Sequence, residues 1–243
     1  MEWIFLSPHL DDAAFSCGGL IWELTRAGVT ISVWTICAGD PPPESISPYA
    51  SSLHTRWATD RDAVAMRREE DKHACLLLGA VPRYFSFLDA VYRRSPVDGT
   101  PFYTSDEALF GELNPLEVDL IEALKRELEA DLPRSAELCC PLTIGGHVDH
   151  RLVRMAAERL SRRRLWYYAD YPYVALSENS LDGFIQGMSS RLFPVSEEGL
   201  AAWETSAAAY TSQISTFWKD EADMRAAIAS YCSREGGIRL WSH

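Results

Sequence analysis

The sequence of 243 residues has no apolar run that approaches the roughly 20 residues needed to cross a membrane. Its start, Met1-Glu2-Trp3, lacks a basic segment, and the apolar run that follows is too short for a signal peptide. Low-complexity tracts and internal repeats are also absent. We therefore expect a single globular domain over residues 1–243, located in the cytoplasm.

Positive charge is scarce as well. The chain has 23 lysine and arginine residues against 35 aspartate and glutamate residues, a net charge of -12. This balance argues against a broad surface for nucleic acid or anionic membranes, which would need clustered basic residues. The basic run at 162–164 follows a helix predicted to begin near Asp149, and we interpret it as complementing the dipole at that helix end.

The six cysteines form no Cys-x-x-Cys pair. They lie mostly in apolar segments predicted as strands and helices, which favours reduced core residues over disulfides or a zinc–cysteine cluster. Cys17 is the cysteine closest to the polar motifs described below.

Predicted strands and helices alternate along the chain. Strands are predicted at residues 2–7, 29–37, 84–88, 137–141, 165–171 and 190–195. Helices are predicted at 18–27, 59–78 (capped by Gly79), 115–130, from 149 onward, 197–218 and 220–232. Strands separated by helices imply right-handed crossovers and an α/β fold with a mostly parallel sheet. Two long loops, 38–59 and 90–113, interrupt the pattern, and loops of this length are usually functional.

Two polar motifs directly follow predicted strands. Ser7-Pro8-His9-Leu10-Asp11-Asp12 comes after the apolar run at 3–6, and Gly145-Gly146-His147-Val148-Asp149-His150 comes after the strand at 137–141. The carboxyl ends of parallel strands are the usual position of ligand sites in open α/β sheets. The sequence therefore predicts a site at this edge of the sheet.

The residue types in the motifs suit metal-assisted hydrolysis. Two histidines and one carboxylate suit a catalytic zinc that keeps one position open, and the motifs supply them as His9, Asp12 and His150. Asp11 could take a proton from a water activated by the metal. His147, if protonated, could stabilise the oxyanion of an amide substrate and protonate the departing amine. Asp149 could hold that ring in place and raise its pKa.

Each motif also has a purely structural interpretation. A lone His-x-Asp-Asp is a weak signal, and either motif could consist of turn residues or a helix cap. Both motifs at strand ends, each beside a Gly-Gly pair, favour a site. A nucleotide-binding module is disfavoured because Gly18-Gly19 lacks the G-x-G-x-x-G pattern. A metal-dependent phosphoesterase would need more bridging ligands for its two metals.

The same residues carry a resemblance to a known family. Pro8–Asp12 with Cys17-Gly18-Gly19, and His147–His150, resemble the Pro-His-x-Asp-Asp…Gly-Gly and His-x-Asp-His signatures of the PIG-L, or LmbE-like, zinc-dependent de-N-acetylases. Further positions match the family: Arg67 and Glu70 in an Arg-x-x-Glu helix, Asp89 after the third strand, and Tyr210, Ser212 and Gln213 in a Tyr-x-Ser-Gln motif. The resemblance covers most of the chain.

The resemblance implies a Rossmann-like three-layer α/β/α fold and removal of an N-acetyl group, often from an N-acetylglucosamine unit. It implies one zinc per chain, with iron as an alternative, held by His9, Asp12 and His150. The partner implied is a small N-acetylated sugar or sugar conjugate, with another amide or an ester as the alternative substrate. Exposed apolar residues would suit a homo-oligomer.

The resemblance also assigns roles around the metal. Asp11 would be the general base, and His147, oriented by Asp149, would be the acid or oxyanion stabiliser. Arg67 and Asp89 would lie near the substrate, with a surface ion pair as the alternative for Arg67. The two long loops are expected to shape the substrate pocket. Their candidate contacts, with ordinary loop residues as the alternative, are His54, Arg56, Trp57, Tyr92, Arg93 and Arg94.

Overall fold

The computed structural model describes residues 2–57, 62–161, 164–176 and 181–243. Its strands are β1 (Glu2–Ser7), β2 (Thr30–Thr35), β3 (Val81–Tyr84), β4 (Glu137–Pro141), β5 (Trp166–Tyr168), β6 (Ser189–Phe193) and β7 (Ile238–Ser242). They form a sheet in the order β3-β2-β1-β4-β5-β7-β6. The first five strands are parallel, and β7 is antiparallel to both of its neighbours. The predicted α/β fold with a mostly parallel sheet is confirmed.

The helices are α1 (Asp12–Arg26), α2 (Pro48–Arg56), α3 (Ala63–Leu78), α4 (Asp106–Leu109), α5 (Val118–Asp131), α6 (Val148–Glu158), α7 (Tyr173–Leu176), α8 (Asp182–Ile185), α9 (Glu197–Ala208), α10 (Thr211–Phe217) and α11 (Glu221–Glu235). Short 3-10 turns lie at Pro43–Ser45, Ala90–Tyr92 and Pro115–Glu117. Helices α1, α3, α9 and α11 pack together, as do α5 and α6.

Strand β1 shows why these helices form two separate layers. Successive strand residues face opposite sides of a sheet, so Trp3 and Phe5 enter one buried cluster while Ile4 and Leu6 enter another. The first cluster contains residues of α1, α3, α9 and α11, and the second contains residues of α5 and α6. The sheet is thus covered on both faces, which confirms the expected three-layer α/β/α arrangement.

Several predicted boundaries differ from the structure. Strand β3 ends at Tyr84, although a strand was predicted to begin there; Phe85 and Phe87 are buried after the chain leaves the sheet, and this alternation imitates a strand. The predicted helix 197–218 is divided before Thr211, and strand β7 was not predicted. The predicted helix start at Thr59, and residues 162–163 of the basic run, lie outside the described residues.

Helix α1 begins at Asp12, six residues before the predicted start at Gly18. The Gly-Gly pair is a contact with α9 rather than a helix start. A Cβ atom at Gly18 would lie 2.4 Å from Cδ1 of Trp203, and one at Gly19 would lie 3.1 Å from Cε3 of Trp203 and 2.9 Å from Cγ1 of Val195, just before α9. Trp203 is fully buried and donates from Nε1 to the carbonyl oxygen of Phe15 at 3.0 Å. Only glycine lets the two helices approach this closely.

All six cysteines are free and buried, in agreement with their predicted place in the core. Cys17 packs in the hydrophobic core on the α1 side of the sheet. Within the described ranges, no helix is both long and apolar enough to span a membrane.

The strand order places the two polar motifs side by side. In the series β3-β2-β1-β4-β5 the order reverses between β1 and β4, the arrangement of a Rossmann-like sheet. Ligands in such sheets bind in the crevice outside the carboxyl ends of the strands at this reversal. The first motif leaves β1 and the second leaves β4, so the fold brings them together there.

Candidate metal centre and active site

The turn after β1 is held by its own polar groups. Ser7 Oγ donates to the carbonyl oxygen of His9 at 2.6 Å and accepts from the backbone N–H of Ala13 at 3.0 Å. The backbone N–H of His9 donates to Asp12 Oδ2 at 2.7 Å. These bonds place His9, Asp11 and Asp12 together at the start of α1, so that adjacent acidic residues reach the same cavity.

The turn after β4 has an unusual backbone. Thr143, Gly145 and Gly146 all have positive φ, at 68°, 91° and 79°. His147 then caps α6, because its Nδ1 accepts the backbone N–H of Asp149 at 3.1 Å. His150 lies in the first turn of α6, so the helix start presents both histidines to the site.

Asp12 faces both predicted histidine ligands. Its Oδ2 lies 3.3 Å from His9 Nδ1, and its Oδ1 lies 3.4 Å from His150 Nε2. Bonds of about 2.0 Å to a tetrahedral zinc would place neighbouring ligand atoms about 3.3 Å apart. His150 Nε2 is buried and lacks a hydrogen-bond partner among the described residues. This orphaned nitrogen and the donor types fit a zinc ion held by His9, Asp12 and His150.

The other ring nitrogen of His9 is held by a buried carboxylate. Asp149 Oδ2 lies 2.9 Å from His9 Nε2 and accepts the backbone N–H of Ala90 at 3.0 Å. Arg93 donates to Asp149 Oδ1 and, at 2.6 Å, to Glu117. Burial alone would raise the pKa of Asp149, but Arg93 and the hydrogen bond from His9 hold it far below its usual range. An ionised Asp149 therefore leaves His9 Nδ1 free to face a metal.

His150 is held in the same way by Asp170. Its Nδ1 lies 2.5 Å from Asp170 Oδ1. Burial disfavours the imidazolium form, but Asp12 and Asp170 outweigh it and raise the pKa of His150 to about 10. The surrounding carboxylates thus stabilise a positive charge at this position, which a bound cation would supply in place of the ring proton.

The pKa of His147 is not raised, although the sequence predicted that Asp149 would raise it. Burial and the neighbouring His9 lower the pKa of His147 well below its usual range, and these effects outweigh the Asp149 carboxylate. It is the backbone N–H of Asp149 that contacts the ring of His147, while the Asp149 side chain contacts His9. A neutral ring that accepts at Nδ1 carries its proton on Nε2. His147 therefore offers a hydrogen-bond donor.

Asp11 and Arg67 form a buried pair beside this cluster. Arg67 Nη2 donates to Asp11 Oδ2 at 3.3 Å, and its guanidinium lies 5.0 Å from the ring centre of Trp57. Burial and then Asp12 raise the pKa of Asp11 to about 7, although Arg67 opposes this shift. Arg67 is 7% exposed, so it is not the surface ion pair that the sequence left open.

An open cleft with a cavity volume of about 110 Å³ lies over these residues. His9, Asp11, Asp12, Arg67, Asp89 and His147 line its floor. The two long loops supply much of its wall, through Tyr49, Leu53, Arg56, Trp57, Val91, Asp106, Leu109 and Phe110. Of the other loop candidates, Tyr92 pairs with His54, Arg93 is buried against Asp149, and Arg94 donates to Gly99.

The Tyr-x-Ser-Gln motif anchors another wall of the cleft. Glu70 accepts hydrogen bonds from the backbone N–H and hydroxyl of Ser212, at 2.9 and 2.6 Å. Tyr210 donates its hydroxyl to the buried Asp71 at 2.7 Å. Helix α10 is thereby fixed to α3, and Gln213 and Phe217 reach the cleft.

Sequence reasoning missed Asp170 and the roles of Arg93 and Glu117. Asp170 lies near the end of the strand predicted at 165–171, so its place at a strand end was a usable signal. Arg93 was predicted only as a substrate contact or an ordinary loop residue, because its partners are 24 and 56 residues away in the chain.

A buried cluster of histidines and carboxylates at the strand-order reversal of a Rossmann-like sheet defines an α/β protein with a metal-binding site. The chain belongs to the PIG-L family: residues 4–161 match the family model described as GlcNAc-PI de-N-acetylase. It is 32% identical to the 2'-N-acetylparomamine deacetylase of Niallia circulans and 31% identical to that of Streptomyces fradiae. Each match covers 70% of this chain but only 66% and 57% of the two relatives, respectively.

Solved structures resemble nearly the whole chain. The zinc-inhibited form of teicoplanin deacetylase has a TM-score of 0.79 and 27% identity, covering 100% of this chain and 97% of that one. The A40926 pseudoaglycone deacetylase has a TM-score of 0.73 and 28% identity, covering 98% and 94%. N,N'-diacetylchitobiose deacetylase from Pyrococcus horikoshii, at 15% identity and a TM-score of 0.58, shares the fold and covers 98% of this chain and 83% of that one.

Proposed function

We propose that this protein is a metal-dependent N-deacetylase that acts on an N-acetylglucosamine-type sugar or sugar conjugate. The reaction breaks the amide C–N bond with water and releases acetate and a free amine. The observation that carries the proposal is the orphaned His150 Nε2 facing Asp12 and His9 on the floor of an open cleft. Relatives named 2'-N-acetylparomamine deacetylase and a structural neighbour named teicoplanin deacetylase support it.

The proposed metal is one zinc per chain, with iron as an alternative, and its ligands are His9 Nδ1, Asp12 and His150 Nε2. When bound, the ion supplies Lewis-acid polarisation of the acetyl carbonyl and acidifies a water. Asp149 and Asp170 keep the two ligand nitrogens free for it.

The remaining residues act on the water, the oxygen and the amine. Asp11 takes the proton of the attacking water and returns it to the departing nitrogen. His147 donates from Nε2 to the acetyl oxygen as negative charge develops there, and its ring is held by the backbone N–H of Asp149. This assigns His147 to oxyanion stabilisation rather than to acid catalysis.

Arg67 and Asp89 are proposed to bind the sugar. Both line the cleft floor, and Nε of Arg67 is buried without a hydrogen-bond partner among the described residues. A hydroxyl of the substrate would satisfy this donor. We also keep a single domain over residues 1–243, a cytoplasmic location and a homo-oligomer as predictions.

The test is acetate release from a panel of N-acetylated sugars and sugar conjugates, with zinc content measured on the same sample. We expect release that is lost on chelation and regained with zinc, at one zinc per chain. Bound zinc without release from any N-acetyl compound, but with turnover of other amides or esters, would replace the substrate class. Absence of bound zinc after its addition would refute the proposal.

A further inference from the structure

We propose that Asp170 is a positioning residue that fixes the metal ligand His150 and, with its second oxygen, the loop that carries His147. This inference depends on the metal ligand set proposed above. It concerns a residue outside both sequence motifs, at the end of the neighbouring strand β5.

The Asp170 carboxylate is buried, with 1% exposure, and each oxygen has its own partner. Oδ1 lies 2.5 Å from His150 Nδ1, and Oδ2 accepts the backbone N–H of Ile144 at 2.9 Å. Among the described residues, His150 is the cation with which Asp170 forms an ion pair. The carboxylate thus joins β5, the loop after β4 and the start of α6.

The first contact decides which nitrogen of His150 can bind a metal. Because the Asp170 carboxylate accepts a hydrogen bond from Nδ1, that nitrogen keeps its proton, and Nε2 is the nitrogen that gives up a proton to bind a metal. Nε2 is the atom that faces Asp12 and has no hydrogen-bond partner among the described residues. A carboxylate on the far nitrogen also fixes the ring orientation and makes the ligand more basic.

The second contact stabilises a strained turn. Thr143 has φ 68°, a conformation that β-branched residues rarely adopt. Such a residue persists only where its surroundings hold it, and the next residue, Ile144, is bound by Asp170. Gly145 and Gly146, also at positive φ, then lead into His147. Asp170 therefore couples the position of the His147 donor to that of the ligand His150.

Asp170→Asn tests this inference because asparagine has the shape of aspartate but can satisfy only one of the two donors. Asp170→Ala removes both contacts. The matched control is Asp71→Asn, since Asp71 is equally buried, with 1% exposure, but its side chain bonds to Tyr84 and Tyr210. The zinc dissociation constant of each variant is measured by competition with a chelator, beside thermal unfolding of the metal-free protein.

We expect Asp170→Asn to weaken zinc binding by about 10- to 100-fold, with at least this loss for Asp170→Ala and no change for Asp71→Asn. At saturating zinc, kcat of Asp170→Asn should stay below wild type because the His147 loop has lost its anchor. A folded Asp170→Asn variant with wild-type zinc affinity would overturn the inference, as would an equal loss in Asp71→Asn. Full recovery of kcat at saturating zinc would refute the coupling to His147. A wild-type protein that binds no zinc would instead refute the proposed ligand set.

Discussion

Replacing His147 and His150 separately by alanine distinguishes the proposed ligand set from a set of three histidines. Ring nitrogens of His9, His147 and His150 all lie within 4.8 Å of one another, so three histidines are close enough to hold one ion. The proposed set has Asp12 in place of His147. The reason is that His147 Nδ1 already accepts the Asp149 N–H at 3.1 Å, which leaves a donor, not a lone pair, on Nε2.

The expected losses differ in kind. Loss of a residue that only hydrogen-bonds to a metal ligand lowers metal affinity by roughly 10- to 100-fold. His150→Ala removes one of the three protein ligands themselves, so its zinc affinity should fall by more than this. Without His147 zinc affinity should be unchanged, while kcat falls about 10²- to 10³-fold, the effect of removing one oxyanion donor.

The assay is zinc per chain after dialysis against a chelator, together with kcat for acetate release at saturating zinc. His73→Ala is the matched control, since this histidine is exposed on α3 and should affect neither quantity. If His147→Ala lost zinc as completely as His150→Ala, the three-histidine set would be correct and the reasoning from the His147 tautomer wrong.

Three further variants test the base, the helix contact and a buried carboxylate. Asp11→Asn should keep its zinc but lower kcat about 10²- to 10⁴-fold, the range for loss of a general base; near-normal turnover would exclude Asp11. Gly18→Ala should destabilise the fold in urea unfolding by about 1–3 kcal/mol through overpacking, because its Cβ would meet Trp203 at 2.4 Å. Gly183→Ala should not destabilise the fold, because there is open space around the new methyl group. An equal free energy of unfolding for the two variants would contradict the contact between Gly18 and Trp203. Burial raises the pKa of Asp71 from 3.8 to about 6, so the Asp71 carboxyl holds its proton more tightly in the folded protein than in the unfolded chain. The free energy of unfolding of wild type, relative to that of Asp71→Asn, should therefore fall by up to about 3 kcal/mol as pH rises from 4 to 7. A difference between the two proteins that does not change with pH would refute the raised pKa of Asp71.

Several elements could be predicted because their signals are local. Strand β4 has the predicted bounds, and Gly79 ends α3 in the left-handed conformation expected of a helix cap. The two motifs follow β1 and β4 as predicted. By contrast, the Gly18-Gly19 pair was misinterpreted as a helix start, because its cause is the distant Trp203. Strand β7 is short and pairs with strands far from it in sequence, so neighbouring residues gave little signal for it.

The amino-acid sequence alone specified the chemistry available at the site: three histidines and three carboxylates, in two groups that each follow an apolar strand. The orientation of these groups depends on the folded structure. Asp149 bonds to His9 across 140 residues, and Asp170 bonds to His150 across 20. Such pairs depend on strand order and on the exact path of each turn, which no local pattern specifies. The same contacts assign the Asp149 side chain to His9 rather than to His147, and they leave Nδ1 of His9 and Nε2 of His150 facing Asp12.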